Sequence, residues 1–344
     1  MAFDADRLKL GRRGLLAGGG ALGLTGALTA CGAGEDDSSS DEETPTGPWS
    51  FTDDAGETVE LDAAPSSVVA YTGLAAALYD FGIEVQGVFG PTVDDEGNPT
   101  TQAGDLPVDQ LEIIGNTYGE FDTEAYAGMV PEVLMTHYYL DPTDMWYVPA
   151  ESADEITELA PVVLLNANDG ENTLEDVIDR HAALAESLGA DLDSDDNTAA
   201  RERFDAAVEA LRTAAADNPV KVLACSAGAE TFWASNPESG NDMRFFQELG
   251  VDFIVPDNLD EGGYYESLSW ENADKYDADL LFLDARPQSL QPDALTEFPT
   301  WSALPAVQEG QIVGWDAEPL YSYGLAAGSI EALAEAITNA KKLS

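Results

Sequence analysis

The chain has 344 residues, 44% of them hydrophobic, which is enough for two lobes with packed cores. It carries 14 Lys and Arg against 66 Asp and Glu, a formal net charge of −52. Nucleic acid is therefore excluded as a partner, and docking of the protein surface on anionic lipid is disfavoured, because both need basic groups. The acid excess favours a high-salt habitat, where charge is screened and carboxylates hold water; the alternative is an acidic surface without ecological meaning.

Residues 1–30 are predicted to be a targeting segment rather than part of the fold. A cationic start is followed by an uncharged run of small and apolar residues, the pattern of a secretory signal. The end of this run resembles a lipobox whose Cys31 becomes lipidated, and Arg12 with Arg13 resembles a twin-arginine export signal. Residues 31–48 are acidic and Ser-rich, and we expect a disordered tether. These features predict an exported protein that is lipid-anchored to the outer face of the cytoplasmic membrane.

Residues 49–190 alternate short β-branched runs with helical patterns, which predicts an N-terminal lobe of βα units around a mainly parallel sheet. Asp122 and Ser152 stand at predicted helix starts, and Gly189 at a helix end. The predicted elements are a hairpin (Trp49–Leu61), strands (Ser67–Tyr71, Val85–Phe89, Glu112–Gly115, Val133–Thr136 and Val162–Leu165) and helices (Gly73–Phe81, Asp122–Met129, Ser152–Leu159 and Leu174–Leu188).

A single long connecting helix is predicted within residues 191–218. Apolar residues recur at helical spacing between Thr198 and Ala216, no Gly or Pro interrupts them, and Asn218 with Pro219 ends the pattern. About 20 residues at 1.5 Å each span roughly 30 Å, about one small domain. An ordinary surface helix would show the same periodicity, so the prediction of a rigid strut depends on the βα pattern on either side.

After the long helix, residues 219–344 repeat the βα pattern and predict a C-terminal lobe. Leu280–Asp284 is almost wholly apolar, as buried parallel strands tend to be. Cys225 lies in an apolar run and is expected to be buried; with Cys31 lipidated, no internal disulfide can form. The other predicted elements are strands (Lys221–Cys225, Thr231–Ala234, Phe253–Pro256 and Gln311–Trp315) and helices (Asp242–Leu249, Ser269–Tyr276 and Gly324–Ala340).

Six stretches of the chain resemble, in order, one family of binding proteins. The most specific is Phe121–His137, a helix followed by Pro131, an acid and a strand, in which Glu132 stands where the family usually has Asp. Behind a lipoprotein signal, these stretches make the chain similar to a substrate-binding lipoprotein of an ABC importer, of the ferric-siderophore, haem and cobalamin class with a helical backbone. The other five stretches are Phe51–Ala70, Glu158–Leu165, Asn241–Ile254, Leu268–Asp284 and Trp301–Asp316.

The resemblance implies an α/β fold of two βα lobes with mainly parallel sheets, joined by one long helix. It implies no enzymatic activity and no cofactor, but a monomer that captures a ferric siderophore between its lobes and delivers it to an ABC permease and its ATPase. Haem or cobalamin is an alternative ligand, and a structural surface lipoprotein is the alternative of a different class. The chain lacks nucleophile-elbow, P-loop and dinucleotide-binding motifs, which disfavours an enzyme.

Side chains just after predicted strands are the candidates for the cleft, because ligands bind beyond the carboxyl ends of parallel strands. Aromatic walls with a few polar groups suit a mid-sized organic ligand, although core packing is the alternative for each aromatic residue. Arg286 can pair with carboxylate or hydroxamate oxygens of a ferric chelate; a surface Arg paired with a nearby acid is the alternative. The predicted ligand-binding residues are Tyr138, Tyr139, Trp146, Trp233, Tyr265, Arg286, Trp315 and Tyr321. Further candidates beside them are Thr136, Tyr147, Tyr264, Ser322 and Tyr323.

Direct metal ligation is disfavoured because the chain has only two His residues, His137 and His181. His137 is kept as an alternative metal or haem ligand. The family resemblance also implies one exposed acid on each lobe that meets Arg on the permease. Glu151 and Glu238, at predicted helix starts, are the residues predicted for this docking.

Overall fold

The structure, a computed structural model, describes residues 47–343 of the chain. The predicted signal segment 1–30, the lipidation site Cys31 and residues 31–46 of the tether lie outside the described residues. Within the described range, no helix combines the length and the apolar character needed to cross a bilayer.

The N-terminal lobe is built around five parallel strands. Its elements are β1 (Trp49–Thr52), β2 (Thr58–Leu61), β3 (Val68–Tyr71), α1 (Thr72–Asp80), β4 (Gly87–Phe89), β5 (Glu112–Ile113), α2 (Thr123–Gly128), β6 (Val133–Tyr139), α3 (Ala153–Leu159), β7 (Val162–Asn168) and α4 (Leu174–Leu188). The strands lie in the order β5-β4-β3-β6-β7, all parallel, and β1 and β2 form a separate antiparallel hairpin. All four residues of β3 are buried, as expected at the centre of a sheet covered on both faces.

The long helix α5 (Asp195–Asp217) follows the N-terminal lobe. Its start is capped by the Ser194 hydroxyl, which accepts a hydrogen bond from the Asn197 backbone N–H over 3.2 Å. Its end is held by Asn218, whose Nδ2 donates to two carbonyls at the end of the C-terminal helix over 2.7 and 2.8 Å. The buried face consists of Phe204, Ala207, Leu211, Ala214 and Ala215.

The C-terminal lobe has a mixed six-stranded sheet. Its elements are β8 (Lys221–Ala227), β9 (Thr231–Ser235), α6 (Asn241–Glu248), β10 (Asp252–Phe253), β11 (Tyr265–Ser269), β12 (Leu280–Asp284), α7 (Pro292–Leu295), α8 (Pro299–Ala303), α9 (Pro305–Gln308), β13 (Ile312–Trp315) and α10 (Tyr323–Asn339). The order is β11-β9-β8-β12-β13, with β10 also paired to β8. The contacts of β8 with β12 and of β12 with β13 are parallel, whereas β9 is antiparallel to both of its neighbours.

Helix α10 packs along α5 and makes the connection between the lobes a pair of helices. Arg203 of α5 forms a two-pronged ion pair with Glu331 of α10, with Nε and Nη2 at 2.9 and 2.7 Å from the carboxylate oxygens. The rings of Phe204 and Tyr323 meet edge to face with centroids 5.5 Å apart. The predicted fold class, two βα lobes with mainly parallel sheets and a long helix, is confirmed. The residue boundaries predicted for the lobes stay predictions.

The lobes also contact each other directly beside β7. Asn241 Nδ2, at the start of α6, donates to the Ala167 carbonyl over 2.7 Å, and Tyr321 Oη donates to the same carbonyl over 3.1 Å. Asn168 Nδ2 donates to the Ser239 carbonyl over 2.6 Å. These hydrogen bonds fix the carboxyl end of β7 against the second lobe.

Two predicted elements differ in the structure. The helix predicted for Ser269–Tyr276 is only a 3-10 turn, Trp270–Asn272, and the Ser269 side chain does not cap it. The chain leaves the helical path because Lys275 and Tyr276 turn toward the Glu266 carboxylate, with Lys275 Nζ at 2.6 Å. The strand predicted for Phe253–Pro256 is limited to β10, in which Asp252 pairs with Lys221 and Phe253 pairs with Val222 of β8.

Candidate functional site

A cavity of about 770 Å³ lies between the lobes. It is formed by the loops that follow β4, β5 and β6 in the N-terminal lobe and β12 and β13 in the C-terminal lobe. This is the position expected for a ligand site at the carboxyl ends of parallel strands. The lining residues are Pro91, Val93–Glu96, Thr100, Asn116–Tyr118, Trp146, Tyr147, Arg286–Gln288 and Glu318.

Glu318 joins the two lobes at the base of the cavity. One carboxylate oxygen accepts hydrogen bonds from Tyr71 Oη over 2.5 Å and from Trp146 Nε1 over 3.2 Å, both in the N-terminal lobe. The other oxygen accepts from Arg286 Nη1 over 2.7 Å in its own lobe. The side chain is only 9% exposed, so these three partners replace the water it has lost.

Arg286 is held by two carboxylates rather than one. Its Nε and Nη2 donate to the two oxygens of Asp284 over 2.9 and 2.8 Å, in addition to the bond from Nη1 to Glu318. Burial by itself would lower the pKa of Arg286, but the hydrogen bonds and charges of Asp284 and Glu318 outweigh burial and raise its pKa. Ser226 Oγ also donates to Asp284, over 2.9 Å. Since a guanidinium has five N–H groups, two remain for a ligand.

Tyr71 and Gly90 fit together beneath the cavity. Tyr71 ends β3, is buried, and has a raised pKa because of burial and the nearby charge of Glu318. Gly90, just after β4, has a φ of +101°, and a Cβ atom there would lie 2.8 Å from the Tyr71 ring. Only glycine therefore permits both this backbone conformation and the position of the ring.

Three aromatic side chains form one wall of the cavity. The ring centroid of Tyr118 lies 5.8 Å from that of Trp146 and 5.3 Å from that of Tyr147, and the latter two are 5.5 Å apart. Tyr118 is 63% exposed, so a large part of its ring is available for a ligand. Tyr147 has a φ of +62°, a conformation that costs free energy outside glycine and is concentrated at functional sites.

The acidic loop, defined here as residues 92–98, borders the mouth of the cavity and carries Asp94, Asp95 and Glu96. Asn116 holds its base: Oδ1 accepts from the backbone N–H groups of residues 92 and 93 over 2.9 Å each, and Nδ2 donates to the Val93 carbonyl over 2.6 Å. Asp94 holds its tip, because Oδ1 accepts from two backbone N–H groups of the loop over 2.9 and 2.8 Å. The loop thus has a defined shape without regular secondary structure.

The structure brings two of the predicted ligand-binding residues, Trp146 and Arg286, to the cavity wall. Of the further candidates, Tyr147 also lines the cavity, whereas Thr136, Tyr264, Ser322 and Tyr323 do not. Tyr139 lies behind Trp146, with ring centroids 4.7 Å apart, and supports its position.

The other predicted residues lie away from the cavity lining. Tyr138 donates to the Asp54 carbonyl over 2.9 Å, and Trp315 Nε1 donates to buried Asp242 over 2.8 Å in the C-terminal core. Tyr321 is 1% exposed at the contact between the lobes. The remaining two, Trp233 and Tyr265, pair across the β9 and β11 edge of the sheet with ring centroids 6.2 Å apart.

His137, the alternative metal or haem ligand, is buried against the second histidine. Its Nε2 lies 2.8 Å from Nε2 of His181, whose Nδ1 bonds to the Val177 carbonyl over 2.8 Å. Burial lowers the pKa of His181 to about 4, and burial together with the charge of His181 lowers the pKa of His137 well below its ordinary value. Among residues 47–343, no group of three or more His, Cys, Asp or Glu is arranged to hold a metal ion.

The predicted docking acids, Glu151 and Glu238, are both exposed. Glu151 lies two residues before the start of α3, and Glu238 lies in a 3-10 turn between β9 and α6. The two residues therefore lie on different lobes and are accessible to a partner.

The sequence interpretation missed Asn116, Tyr118, Glu318 and the acidic loop. The rule that it used would have found the first two, because they follow directly after the strand predicted for Glu112–Gly115. Glu318 follows β13 by three residues, but one acid among 66 carries no signal in the sequence.

Comparison with known proteins decides the family. Residues 69–319 match the sequence profile of the periplasmic binding protein family, which is well over half of the chain. The chain belongs to the periplasmic binding protein family. Membership makes it an extracytoplasmic binding protein rather than an enzyme. A comparison with curated proteins finds no match.

Comparison with solved structures identifies individual proteins that are similar to this binding protein. It is similar to DesE, a ferric-siderophore receptor protein from Streptomyces coelicolor, with 45% identity, a TM-score of 0.83, and coverage of 86% of this chain and 100% of that chain. It also resembles the siderophore periplasmic binding protein from the fuscachelin gene cluster of Thermobifida fusca, with 21% identity, a TM-score of 0.56, and 80% and 97% coverage. The catecholate-siderophore binding protein VctP from Vibrio cholerae has 17% identity, a TM-score of 0.57, and 84% and 99% coverage. The last two share the fold alone.

Proposed function

We propose that this protein is the extracytoplasmic solute-binding component of an ABC importer, and that it captures a ferric siderophore in the cavity between its lobes. The observation that carries the proposal is the 45% identity to a ferric-siderophore receptor over the whole of that chain. The cavity agrees with it in kind and in size, because ligand pockets commonly measure about 300–1,000 Å³ and combine aromatic walls with a few polar groups.

The cavity has groups for both parts of an organic iron chelate. Tyr118, Trp146 and Tyr147 offer apolar surface to the organic arms. The two N–H groups of Arg286 that do not bond to Asp284 or Glu318 can donate hydrogen bonds to the chelating oxygens. In this proposal iron is cargo and remains wrapped by its chelator, so the protein needs no metal ligands of its own.

Titration of the purified protein with ferric siderophores, followed by intrinsic tryptophan fluorescence, tests the proposal. We expect quenching at sub-micromolar ligand, because Trp146 lines the cavity. Trp146→Phe should remove a large part of the quenching, whereas Trp233→Phe, a matched change on the sheet edge, should retain it. Response to haem or cobalamin alone would reassign the ligand, and silence toward all three would favour a structural surface lipoprotein.

Delivery to a permease and its ATPase is part of the same proposal, with exposed Glu151 and Glu238 as the docking acids. Replacing both with Lys should reduce siderophore uptake by cells while leaving the affinity of the purified protein for the chelate unchanged. Uptake at the wild-type rate would show that other residues make this contact.

We also propose that the protein is a monomer held at the outer face of the membrane by lipid on Cys31, after export by the twin-arginine route. Cys31→Ala should release the protein from the membrane fraction, and Arg12→Lys with Arg13→Lys should block export. Membrane retention of the first variant, or export of the second, would contradict the respective assignment.

A further inference from the structure

The charges that line the cavity are almost all negative. Four carboxylates reach it, Asp94, Asp95 and Glu96 from the acidic loop and Glu318 from the base. Arg286 is the one cation among the described lining residues. A ligand in this cavity therefore meets an excess of negative charge from both lobes.

The positive charge of Arg286 is already balanced. Its guanidinium is in ion pairs with Asp284 at 2.8 Å and with Glu318 at 2.7 Å, and these acids are 1% and 9% exposed. The three side chains together carry one net negative charge in a site largely removed from water, where charges interact strongly. Arg286 can donate hydrogen bonds to a ligand, but it does not make the base of the cavity positive.

We propose that the cavity selects ferric chelates whose net charge is zero or positive and discriminates against polyanionic chelates. The inference rests on the proposed function. Three singly charged hydroxamates cancel the charge of Fe(III) and leave a neutral complex, and a pendant amine makes it cationic. Three catecholates leave the complex with a large negative charge, which the four lining carboxylates repel. The exposed face of Tyr118 also favours cations, through the negative face of its ring.

The discrimination arises at the cavity and not from the acidity of the whole chain. At physiological ionic strength charges are screened over about 8 Å, so acids on distant surfaces contribute little to the affinity of a bound chelate. Acids on the cavity wall act within this distance. Neutralising them should therefore change selectivity, and neutralising the same number of distant acids should not.

Matched ligands separate charge from shape. The ligands are ferric complexes of one linear trihydroxamate in three forms: with its terminal ammonium, with that amine acetylated, and with that amine succinylated so that it ends in a carboxylate. A ferric tricatecholate is the fourth ligand. Calorimetry at physiological ionic strength should rank them in that order, with about tenfold between the ammonium and carboxylate forms. The difference should shrink at high salt, because screening weakens it.

Matched variants locate the effect. Asp95→Asn with Glu96→Gln removes two charges from the acidic loop and spares Asp94, whose carboxylate holds the loop. This variant should reduce the ratio of the affinity for the ammonium form to the affinity for the carboxylate form by about threefold. Glu57→Gln with Glu60→Gln makes the same change on the exposed N-terminal hairpin, away from the cavity, and should leave the ratio unchanged.

The outcomes distinguish this inference from the proposed function. Equal affinity for the three trihydroxamate complexes, or tightest binding of the tricatecholate, would overturn the charge selectivity while siderophore capture stood. Failure of every ferric chelate to bind would overturn siderophore capture itself. Equal effects of the two double variants would also overturn the assignment of selectivity to the acidic loop.

Discussion

Arg286 contributes to the structure as well as to the site. It is 21% exposed and balances two carboxylates that are each less than 10% exposed, so its charge holds the base of the cavity together. Removing one member of a buried ion pair leaves the other charge without water or a partner, which is strongly destabilising. Arg203, by contrast, forms its pair with Glu331 at a surface position where both side chains are about half exposed.

Arg286→Ala should therefore lower the free energy of unfolding by about 2–4 kcal/mol, because it leaves Asp284 and Glu318 buried and unbalanced. Arg203→Ala, which also removes a two-pronged Arg pair, should cost about 1 kcal/mol or less, since exposed pairs contribute little. Urea unfolding of both variants at neutral pH measures the difference. Similar losses for the two would contradict the structural role of Arg286, and any loss of chelate affinity must be measured on the folded variant.

The His137 and His181 pair predicts a pH dependence of stability. Both residues are buried and neutral, with lowered pKa values, to about 4 for His181. In the unfolded chain each binds a proton near pH 6.5, so the unfolded state holds more protons between the folded and unfolded pKa values. Stability from this pair is complete above about pH 6.5 and is lost as the pH falls toward 4, by at most about 1.4 kcal/mol per pH unit for each histidine.

Unfolding in urea between pH 7 and pH 4.5 measures this dependence. The double variant His137→Gln with His181→Gln keeps hydrogen-bonding side chains that do not titrate, and it should lose less stability than the wild type over the same range. An equal loss in both proteins would assign the effect to carboxylates instead.

At the scale of single residues, the sequence indicates which side chains can bind a ligand better than it indicates where each side chain lies in the fold. Trp146 and Arg286 follow predicted strands and both line the cavity, and their role in ligand binding stays a prediction. Trp315 also ends a strand, yet its indole turns into the core to reach Asp242, and a sequence does not record which way a side chain points. Tyr321 was expected in the cleft, but it packs at the contact between the lobes, which is a property of the assembled fold.

Among the elements, the loops rather than the strands and helices define the cavity. The acidic loop has one isolated bridge, between Val93 and Pro99, and a few backbone hydrogen bonds, such as Asp94 N–H to the Asn98 carbonyl over 2.8 Å. Side-chain hydrogen bonds of Asn116 and Asp94 add to these. Loops of this kind open more easily than sheet or helix, because few buried contacts hold them. Asn116 fixes the base of the loop through three of these hydrogen bonds.

Asn116→Ala removes three hydrogen bonds to the loop backbone at residues 92 and 93. We expect faster hydrogen exchange at the amides of the acidic loop and about tenfold weaker chelate binding, because the loop must then be ordered on binding. Global stability should fall by only about 1–2 kcal/mol. Asn272→Ala, at an exposed position of the other lobe where the side chain bonds to Ser269, is the control. Unchanged exchange in Asn116→Ala would contradict the role given to Asn116.

The long elements were predictable because their signals are local. Helix α4 has the predicted residues Leu174–Leu188, since Thr173 forms a capping box and Gly189 ends the helix with a φ of +110°. The helix predicted after Ser269 is wrong because Lys275 and Tyr276 bond to Glu266 in β11, the strand that directly precedes the turn and that the sequence analysis did not predict. The edge strand β11 was missed for a related reason, because its pairing with β9 is a tertiary contact.

For the molecule as a whole, charge is the dominant property. A formal net charge of −52 makes the exposed acids repel one another, and this repulsion opposes the compact state. Raising salt from 0.1 to 1 M shortens the screening length from about 10 to about 3 Å. We therefore expect the free energy of unfolding to rise by roughly 1–3 kcal/mol over this range.

Unfolding by heat or urea, without guanidinium, at potassium chloride concentrations across this range measures the effect. A fall in stability with salt would show that the ion pairs, such as Arg203 with Glu331, outweigh the general repulsion. The result also bears on the proposed high-salt habitat, which requires that stability increases as charge is screened.

The pair of helices and the contact beside β7 connect the two lobes that border the cavity. The central claim is that a ferric chelate occupies this cavity. An iron anomalous difference map, from crystals grown with a ferric trihydroxamate, tests it most directly. We predict a single strong peak between the lobes, beside Tyr118, Trp146 and Arg286. A peak at any other place on the chain, or no peak in crystals shown to contain iron, would contradict the account.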